Sequence, residues 1–333
     1  MAIVKADAYG HGIVRVARAL PEADAFGVAC IEEAEELRAA GIGNPLVLLE
    51  GPFTPEEIAA LPALGLETVV HTPEQLAMIE QARPAAPIAC WLKVDTGMHR
   101  LGFPPEEALA VHARLAALPH VAKGIRIMTH LASAQRQGDP SIPAQLDAFA
   151  ALDGLPGPRC VANSAALLSL PATHGDWVRP GIMLYGVSPF AYQEGHQHGL
   201  QPVMTVRSAL IAVRRVAAGG GVGYGATWRC PEDMPIGVVA VGYGDGYPRH
   251  LDDETPVLVG GVQARAIGRP SMDMLTVDLR AAPGAKVGDP VVLWGPELPV
   301  ERVARHAATV PYELLCSVRM RARYTERGAT ALC

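Results

Sequence analysis

The chain has little that would suit it to nucleic acid, to a membrane or to a cysteine-held scaffold. Its 34 acidic and 28 basic residues leave a net charge of −6, so the basic face that a nucleic-acid footprint needs is missing. No apolar run in the 333 residues approaches the length of a membrane span. Met1 leads into Ala2-Ile3-Val4 without a basic-then-apolar leader, and a soluble, cytoplasmic protein is expected. The six cysteines, Cys30, Cys90, Cys160, Cys230, Cys316 and Cys333, lie far apart with no CxxC and no His-paired spacing. Neither a zinc site nor a disulfide framework is indicated, and buried free thiols are expected instead. Internal repeats and low-complexity segments are also lacking.

What is present is a large apolar fraction, 50%, on a chain longer than one ordinary domain requires, so two domains are expected. From residue 1 to about 185, short β-prone runs alternate with segments of helical pattern. The runs are Ala2 to Lys5, Ala25 to Cys30, Leu46 to Glu50, Thr68 to His71, Ile88 to Asp95, Ile125 to His130, Cys160 to Asn163 and Trp177 to Arg179. That alternation suits parallel strands, closed into a (β/α)8 barrel of the TIM type or left open as a doubly wound sheet. The polar residues favour the barrel. Lys5, the stretch Lys93 to Arg100, His130, Asn163-Ser164 and Arg179 fall at or just beyond the C-terminal ends of their strands, the face where barrels place active sites.

Helix starts are legible between the strands. Thr54-Pro55-Glu56-Glu57 and Thr72-Pro73-Glu74-Gln75 each offer a hydroxyl cap, a proline at the first helical position and an acid or amide three residues after the cap. In IEEAEELRAAG, residues 31–41, acids come early, Arg38 late and Gly41 at the stop. After residue 200 the pattern changes to short, valine-rich runs between glycine or proline turns: Met204 to Val216, Gly237 to Val241, Pro256 to Val259, Ala264 to Ile267, Met274 to Asp278 and Pro290 to Trp294. With one helical stretch near Val300 to Ala307, this predicts an all-β second domain. The boundary is placed in the polar stretch AYQEGHQHGLQP, 191–202, giving domains 1–195 and 200–333.

The chain is organised around MAIVKADAYGHG, residues 1–12, where a short apolar strand delivers one lysine, Lys5, and breaks into a loop with Asp7, Tyr9, His11 and two glycines. An amine at a strand end can condense with an aldehyde to give a Schiff base, and can accept a proton once that bond is exchanged. On spacing alone, the same lysine is equally a solvated cation, Ser164 a helix cap, Gly181 a turn glycine, Arg179 a surface arginine before a proline, and His130 a core histidine.

VKADAYGHG resembles the pyridoxal phosphate lysine motif of alanine racemases. Seven further segments resemble the same family in the same order: KVDTGMHRLG at 93–102, THLASA at 129–134, ANSAA at 162–166, RPGIMLYG at 179–186, VGYGATW at 222–228, VGYGDGYPR at 241–249 and GRPSMDM at 268–274. The resemblance runs from the first residues to about residue 320. It implies a pyridoxal 5'-phosphate enzyme interconverting L- and D-alanine, with Lys5 bound to the cofactor and acting on the D face of the substrate. Tyr224 would be the second acid/base group, on the L face, with Met272 beside it; both would come from the other subunit of a head-to-tail homodimer with shared active sites. Tyr9, Ser164, Gly181 and Ile182 would hold the phosphate, and Arg179 would face the pyridine nitrogen. His130 would link that arginine to Tyr224 in a cationic network, because a free phenol is a poor base at neutral pH. Arg100 would take the substrate carboxylate or the cofactor's phenolic oxygen. Lys93 occupies the place of a carbamylated family lysine that orients this arginine, and Asp273, Tyr185 and Tyr243 would be supporting residues. The product would serve peptidoglycan synthesis, or the enzyme would break alanine down.

Two departures stand out. Relatives usually carry a strand and a helix before the lysine strand, and only four residues come before Lys5 here, so either the sequence begins late or the fold is expected to tolerate their absence. The family's C-terminal phosphate-binding tyrosine corresponds to Met320 in CSVRMRARY, with Tyr324 a weak substitute. Rival readings are a racemase for serine or a broader range of amino acids, a barrel decarboxylase, and a non-catalytic pyridoxal phosphate carrier. RPGI at 179–182 argues against the decarboxylase, which would offer an acid to the pyridine nitrogen, and the complete β-domain argues against the carrier.

Overall fold

The computed structural model describes residues 1–318 and 321–327, and the chain divides into two units, Met1–Gln193 and a second from Glu194 onward. The first unit holds eight strands: β1 (Ala2–Ile3), β2 (Phe26–Val28), β3 (Leu46–Leu48), β4 (Leu66–Val70), β5 (Cys90–Lys93), β6 (Arg126–Met128), β7 (Arg159–Asn163) and β8 (Trp177–Arg179). They pair in parallel in sequence order. The ring is drawn together where the Ile3 N–H donates to the Pro180 carbonyl, just past β8, at 3.0 Å. All eight strands fall where the sequence places them, and the (β/α)8 architecture matches the expectation.

Parallel strands covered by helices on the outside and packed side chains within must be apolar on both faces. β2 and β3 are buried at every position. Gly27 in β2 is there for room, because a Cβ would come within 2.7 Å of the Ile3 Cδ1. Inside the barrel Ile3, Val47, Val69, Trp91, Met128 and Cys160 form one cluster. At the N-terminal ends of the strands Arg126 lies over Trp91 and Trp177, 5.0 and 5.5 Å from their ring centroids. Its guanidinium pairs with Glu67 at 3.0 Å, and Glu67 also accepts the Trp91 indole N–H at 2.6 Å. That end is filled, which leaves the C-terminal ends to carry chemistry.

The helix punctuation follows the sequence with one difference. Thr72 caps the helix Pro73–Gln81 by accepting the Gln75 N–H at 3.2 Å. Thr54 sits at the same place before Pro55–Ala63, but its side chain does not cap; Glu57 instead reaches back to the Phe53 N–H at 2.7 Å. Gly41 closes Ile31–Ala39 region with a φ of 81°, a left-handed conformation that glycine adopts freely.

The second unit is a closed antiparallel barrel. Its strands are β9 (Val206–Val216), β12 (Met234–Val239), β13 (Pro256–Val259), β14 (Val262–Ala266), β15 (Leu275–Asp278) and β16 (Pro290–Trp294), ordered β12-β15-β14-β13-β16-β9. A two-stranded ribbon, β10 (Gly221–Val222) with β11 (Trp228–Arg229), and a helix Pro311–Ser317 were not anticipated; the helix Val300–His306 was. The thiols are not uniformly buried: Cys90, Cys160 and Cys230 are, Cys30 is half-buried and Cys316 exposed. Cys333 lies outside the described residues.

Candidate active site

The C-terminal ends of β1, β3, β4, β5, β6, β7 and β8 assemble a charged centre in the first unit. Lys5 follows β1 directly, and its amine is 3.3 Å from the Glu50 carboxylate beyond β3. The segment after it is no irregular loop. Ala6, Asp7, Ala8 and Tyr9 all have φ between 51° and 55°, one turn of left-handed helix built from non-glycine residues. Each such residue costs about 1–2 kcal/mol, so the turn must be held from outside. Glu33 accepts the Ala6 and Ala29 N–H groups at 2.6 and 2.7 Å, and Asp7 accepts the Ile13 N–H at 2.7 Å. His11 Nδ1 faces the carbonyls of Ala8 and Tyr9 at 3.0 and 2.9 Å, so it must carry the proton. The imidazole stacks on Tyr185, 4.4 Å between centroids, and the Tyr185 hydroxyl donates to the Ile3 carbonyl at 2.8 Å.

The turn aims Tyr9 at the neighbouring strand end, because β8 adjoins β1. A Cβ on Gly181 would lie 2.7 Å from the Tyr9 hydroxyl oxygen, so the tyrosine reaches the main chain just past β8. There Ser164 Oγ accepts the Gly181 N–H at 2.8 Å and the Met183 N–H at 3.5 Å. Ser164 is not the helix cap: Asn163 is, accepting the Ala166 N–H at 3.1 Å, which leaves the serine hydroxyl to face Gly181. Ile182 is buried and opens the next short turn, Ile182–Tyr185.

Arg179 is buried, and among the described residues no carboxylate bonds to it. Its Nη1 donates to the Cys160 carbonyl and thiol at 3.0 and 2.9 Å; its Nη2 donates to Thr129 and Val161 carbonyls at 2.7 and 3.1 Å and to His130 Nδ1 at 3.3 Å. A guanidinium only donates, so His130 Nδ1 accepts and its proton resides on Nε2. Burial first, then Arg179, Lys93, Arg100 and Lys5, pushes the His130 pKa well below the usual histidine range. With Arg179 donating to Nδ1, His130 accepts in its neutral form, and the cationic groups acting on it are Arg179, Lys93, Arg100 and Lys5. The Lys93 pKa is lowered to about 8 by burial, then by Arg179, Arg100 and Lys5, with Glu50 opposing.

Arg100 is exposed on a loop shaped by Asp95, whose Oδ1 accepts the N–H groups of Gly97, Met98 and His99, each at 3.0 Å. Burial raises the Asp95 pKa, but those donors and the His99 ring outweigh it and hold the carboxylate below its ordinary value. Glu50 and His71 were missed as site residues, although each ends a strand run that the sequence had delimited. His71 Nε2 donates to the Glu50 carbonyl at 2.7 Å.

The second unit gathers a separate group. Tyr224 stands at the tip of the β10–β11 ribbon, 71% exposed, in a turn where Gly223, Gly225 and Ala226 all have positive φ. Tyr243 and Met272 lie on adjoining loops joined by hydrogen bonds from Tyr243 N–H to Ser271 O at 3.1 Å and from Gly244 N–H to Met272 O at 2.8 Å. Arg321 clamps them, pairing with Asp273 at 2.8 Å and Asp245 at 3.0 Å. Met320 lies outside the described residues; Tyr324 is described and partly exposed.

Comparison with known proteins names the family. The alanine racemase N-terminal domain model matches residues 1–189, and the C-terminal domain model matches residues 203–325. The chain belongs to the alanine racemase family. The alanine racemase of Nitrosococcus oceani is 54% identical over 321 residues, 96% of this chain and 89% of the relative; that of Halorhodospira halophila is 52% identical over 325 residues, 97% and 89%. The crystal structure of the biosynthetic alanine racemase from Pseudomonas aeruginosa superposes with a TM-score of 0.95 at 48% identity, covering 98% of this chain and 92% of that one. The Acinetobacter baumannii alanine racemase gives 0.89 at 38%, covering 96% and 90%. This alanine racemase chain is accordingly an isomerase acting on amino acids, with small-molecule substrates. No helix among its described residues is long and apolar enough to cross a membrane.

Proposed function

We propose that the chain interconverts L- and D-alanine with pyridoxal 5'-phosphate, using Lys5 on the D face and Tyr224 on the L face. The observation that carries this reading is the buried Arg179, braced by main-chain carbonyls and a neutral His130 rather than by an acid. The residues fit the cofactor. Tyr9 and Ser164 hydroxyls and the Gly181 N–H converge on one place that a Cβ would fill, suited to a phosphate, with Ile182 continuing that main chain. The Lys5 amine stands past the C-terminal end of β1, which adjoins β8, and Arg179 offers a donor that stays protonated near neutral pH. When bound, pyridoxal phosphate supplies a conjugated ring that withdraws electrons from the substrate Cα.

Arg179 would hold the ring nitrogen as a hydrogen-bond acceptor without protonating it, which tempers that withdrawal and restrains side reactions such as transamination. Lys5, once its amine is free, takes or returns the α-proton on one face, and the Tyr224 hydroxyl does so on the other. Arg100 binds the substrate carboxylate, and Lys93, converted to an anion by carbamylation, steadies Arg100. Tyr185 supports β1 through Ile3, and Tyr243, Asp273 and Met272 shape the approach. The exposure of Tyr224 and Met272 supports their donation to a second copy, so the enzyme is a homodimer with shared sites. The buried thiols of Cys90, Cys160 and Cys230 suit a cytoplasmic enzyme, supplying D-alanine for peptidoglycan or removing alanine.

The test uses protein loaded with pyridoxal phosphate. Lys5→Ala should lose both cofactor attachment and alanine interconversion. The enantiomers have equal free energy, so kcat/KM must fall equally in both directions for any variant; faces are read from exchange of the α-proton in deuterated water. Tyr224→Phe should exchange D-alanine without inverting it and leave L-alanine unexchanged. Mixing the inactive Lys5→Ala and Tyr224→Phe chains should restore about a quarter of the activity if sites are shared across a dimer, and none if each chain is self-sufficient. Exchange of both enantiomers by Tyr224→Phe would refute the face assignment.

A further inference from the structure

Lys5 faces one acid at the end of its strand. Its Nζ is 3.3 Å from Glu50 Oε1, and the main chain of Glu50 is fixed at two points. The Glu50 carbonyl accepts from His71 Nε2 at 2.7 Å and from Gln75 Nε2 at 2.9 Å, while Gln75 Oε1 accepts the His71 N–H at 3.0 Å. A carbonyl only accepts, so His71 carries its proton on Nε2 and is locked to one tautomer. Gly51 follows with a φ of 67°, and a Cβ there would strike the Val69 carbonyl and Gln75, so the chain has no latitude to turn elsewhere. The carboxylate is thus presented from a rigid base, although the side chain itself stays partly open to solvent. Beside it Arg179, Arg100 and Lys5 each disfavour the Lys93 ammonium, and Glu50 favours it.

We propose that Glu50 is a positioning residue for the Lys5 amine, holding it whenever it is not covalently engaged and pairing with the ammonium that forms when it takes the α-proton. One proton moves from the substrate Cα to the Lys5 nitrogen; Glu50 accepts none and supplies the counter-charge. This rests on Lys5 being the acid/base group for D-alanine. Nothing in the arrangement serves Tyr224, so losing the Glu50 charge should burden one face of the reaction.

The test measures α-proton exchange in deuterated water for the cofactor-loaded protein, by NMR, with each enantiomer. Glu50→Gln keeps the side-chain shape and the main-chain contacts but removes the charge. It should slow exchange of D-alanine at least tenfold relative to L-alanine, and Glu50→Asp should recover part of the loss. A merely structural role would slow both enantiomers together, and that result, or no change in either, overturns the proposal. In the cofactor-free full chain, an amine-directed acylating reagent should label Lys5 several-fold faster in Glu50→Gln than in the wild type; an equal rate also overturns it. The two levels of the reading separate in Tyr224→Phe. Failure of that variant to exchange D-alanine alone sinks the face assignment and this proposal with it, whereas the expected pattern, with D-alanine exchange untouched by Glu50→Gln, sinks the Glu50 role alone.

Discussion

Burial, together with Arg179, Arg100 and Lys5, holds the Lys93 amine at about 8, against about 10.4 in an unfolded chain. At pH 7 the folded protein therefore carries a penalty of about 3 kcal/mol for keeping this ammonium where it is. The sign follows from proton counts. The folded form binds the proton more weakly, so the stability linked to Lys93 is complete above about 10.4 and is lost as pH falls through about 8. The same depression leaves about a tenth of the side chain neutral at pH 7, against roughly one part in 2,500 for an unperturbed lysine. Only the neutral amine attacks carbon dioxide: the ammonium first gives one proton to solvent, an N–C bond then forms as one C–O π bond opens onto oxygen, and a second proton leaves, so that a cation becomes an anion. Lys93→Met should then stabilise the cofactor-free protein at pH 7 in carbonate-free buffer by up to about 3 kcal/mol, or roughly 6–12 °C in Tm for a domain near 200 residues. Added bicarbonate should raise the wild-type Tm and leave Lys93→Met unmoved, and labelled bicarbonate should give a carbamate carbon signal in the wild type alone. Equal melting of the two proteins at pH 7, or an equal response to bicarbonate, would refute the reasoning.

Two further changes probe the phosphate cradle and the turn that feeds it. Gly181→Ala would place a Cβ against the Tyr9 hydroxyl; the cofactor Kd should rise at least tenfold, about 1.4 kcal/mol, and equilibrium dialysis giving an unchanged Kd would contradict the cradle. Glu33→Ala removes the acceptor for two main-chain N–H groups, which should cost about 1–2 kcal/mol and speed amide hydrogen exchange across residues 6–9, with Glu33→Gln intermediate; unchanged exchange would mean that the left-handed turn is held by something else.

Position along the strands was the most readable signal in the sequence. A polar residue closing a short apolar run marks the open end of a barrel strand, and that argument alone brings Lys5, Lys93, His130, Ser164 and Arg179 to one end of the first unit. Applied evenly it would also have reached Glu50 and His71, which end two of the same runs. The left-handed turn after Lys5 was not legible, because runs of φ near 50° are disfavoured in Ala6, Asp7, Ala8 and Tyr9; its support from Glu33 is a tertiary hydrogen bond, and the local one from His11 forms only once the turn exists. Asn163 and Ser164 are both good capping residues, and only the three-dimensional position of Gly181 shows which one caps and which is left over. The β10–β11 ribbon has two residues per strand, too few for any periodicity to register. The helix Pro311–Ser317 had a readable start, proline at its first position and Glu313 within the first turn, that went unused.

The strain and the charge in this unit have a common logic. Four left-handed residues and a cluster of cations are each unfavourable where they stand. Both are met by groups that cannot drift: Glu33 and Asp7 grip the turn through main-chain N–H groups, carbonyls of β6 and β7 and their ends receive Arg179, and a locked His71 fixes the backbone of Glu50. An unstrained loop after Lys5 would leave Tyr9 free to swing away from Gly181, and an acid beside Arg179 would satisfy it within the protein. As built, main-chain carbonyls hold the guanidinium and the turn aims the tyrosine hydroxyl, while Glu50 offsets part of the charge of the cationic centre, so an anionic ligand entering from the open end meets charge already in place.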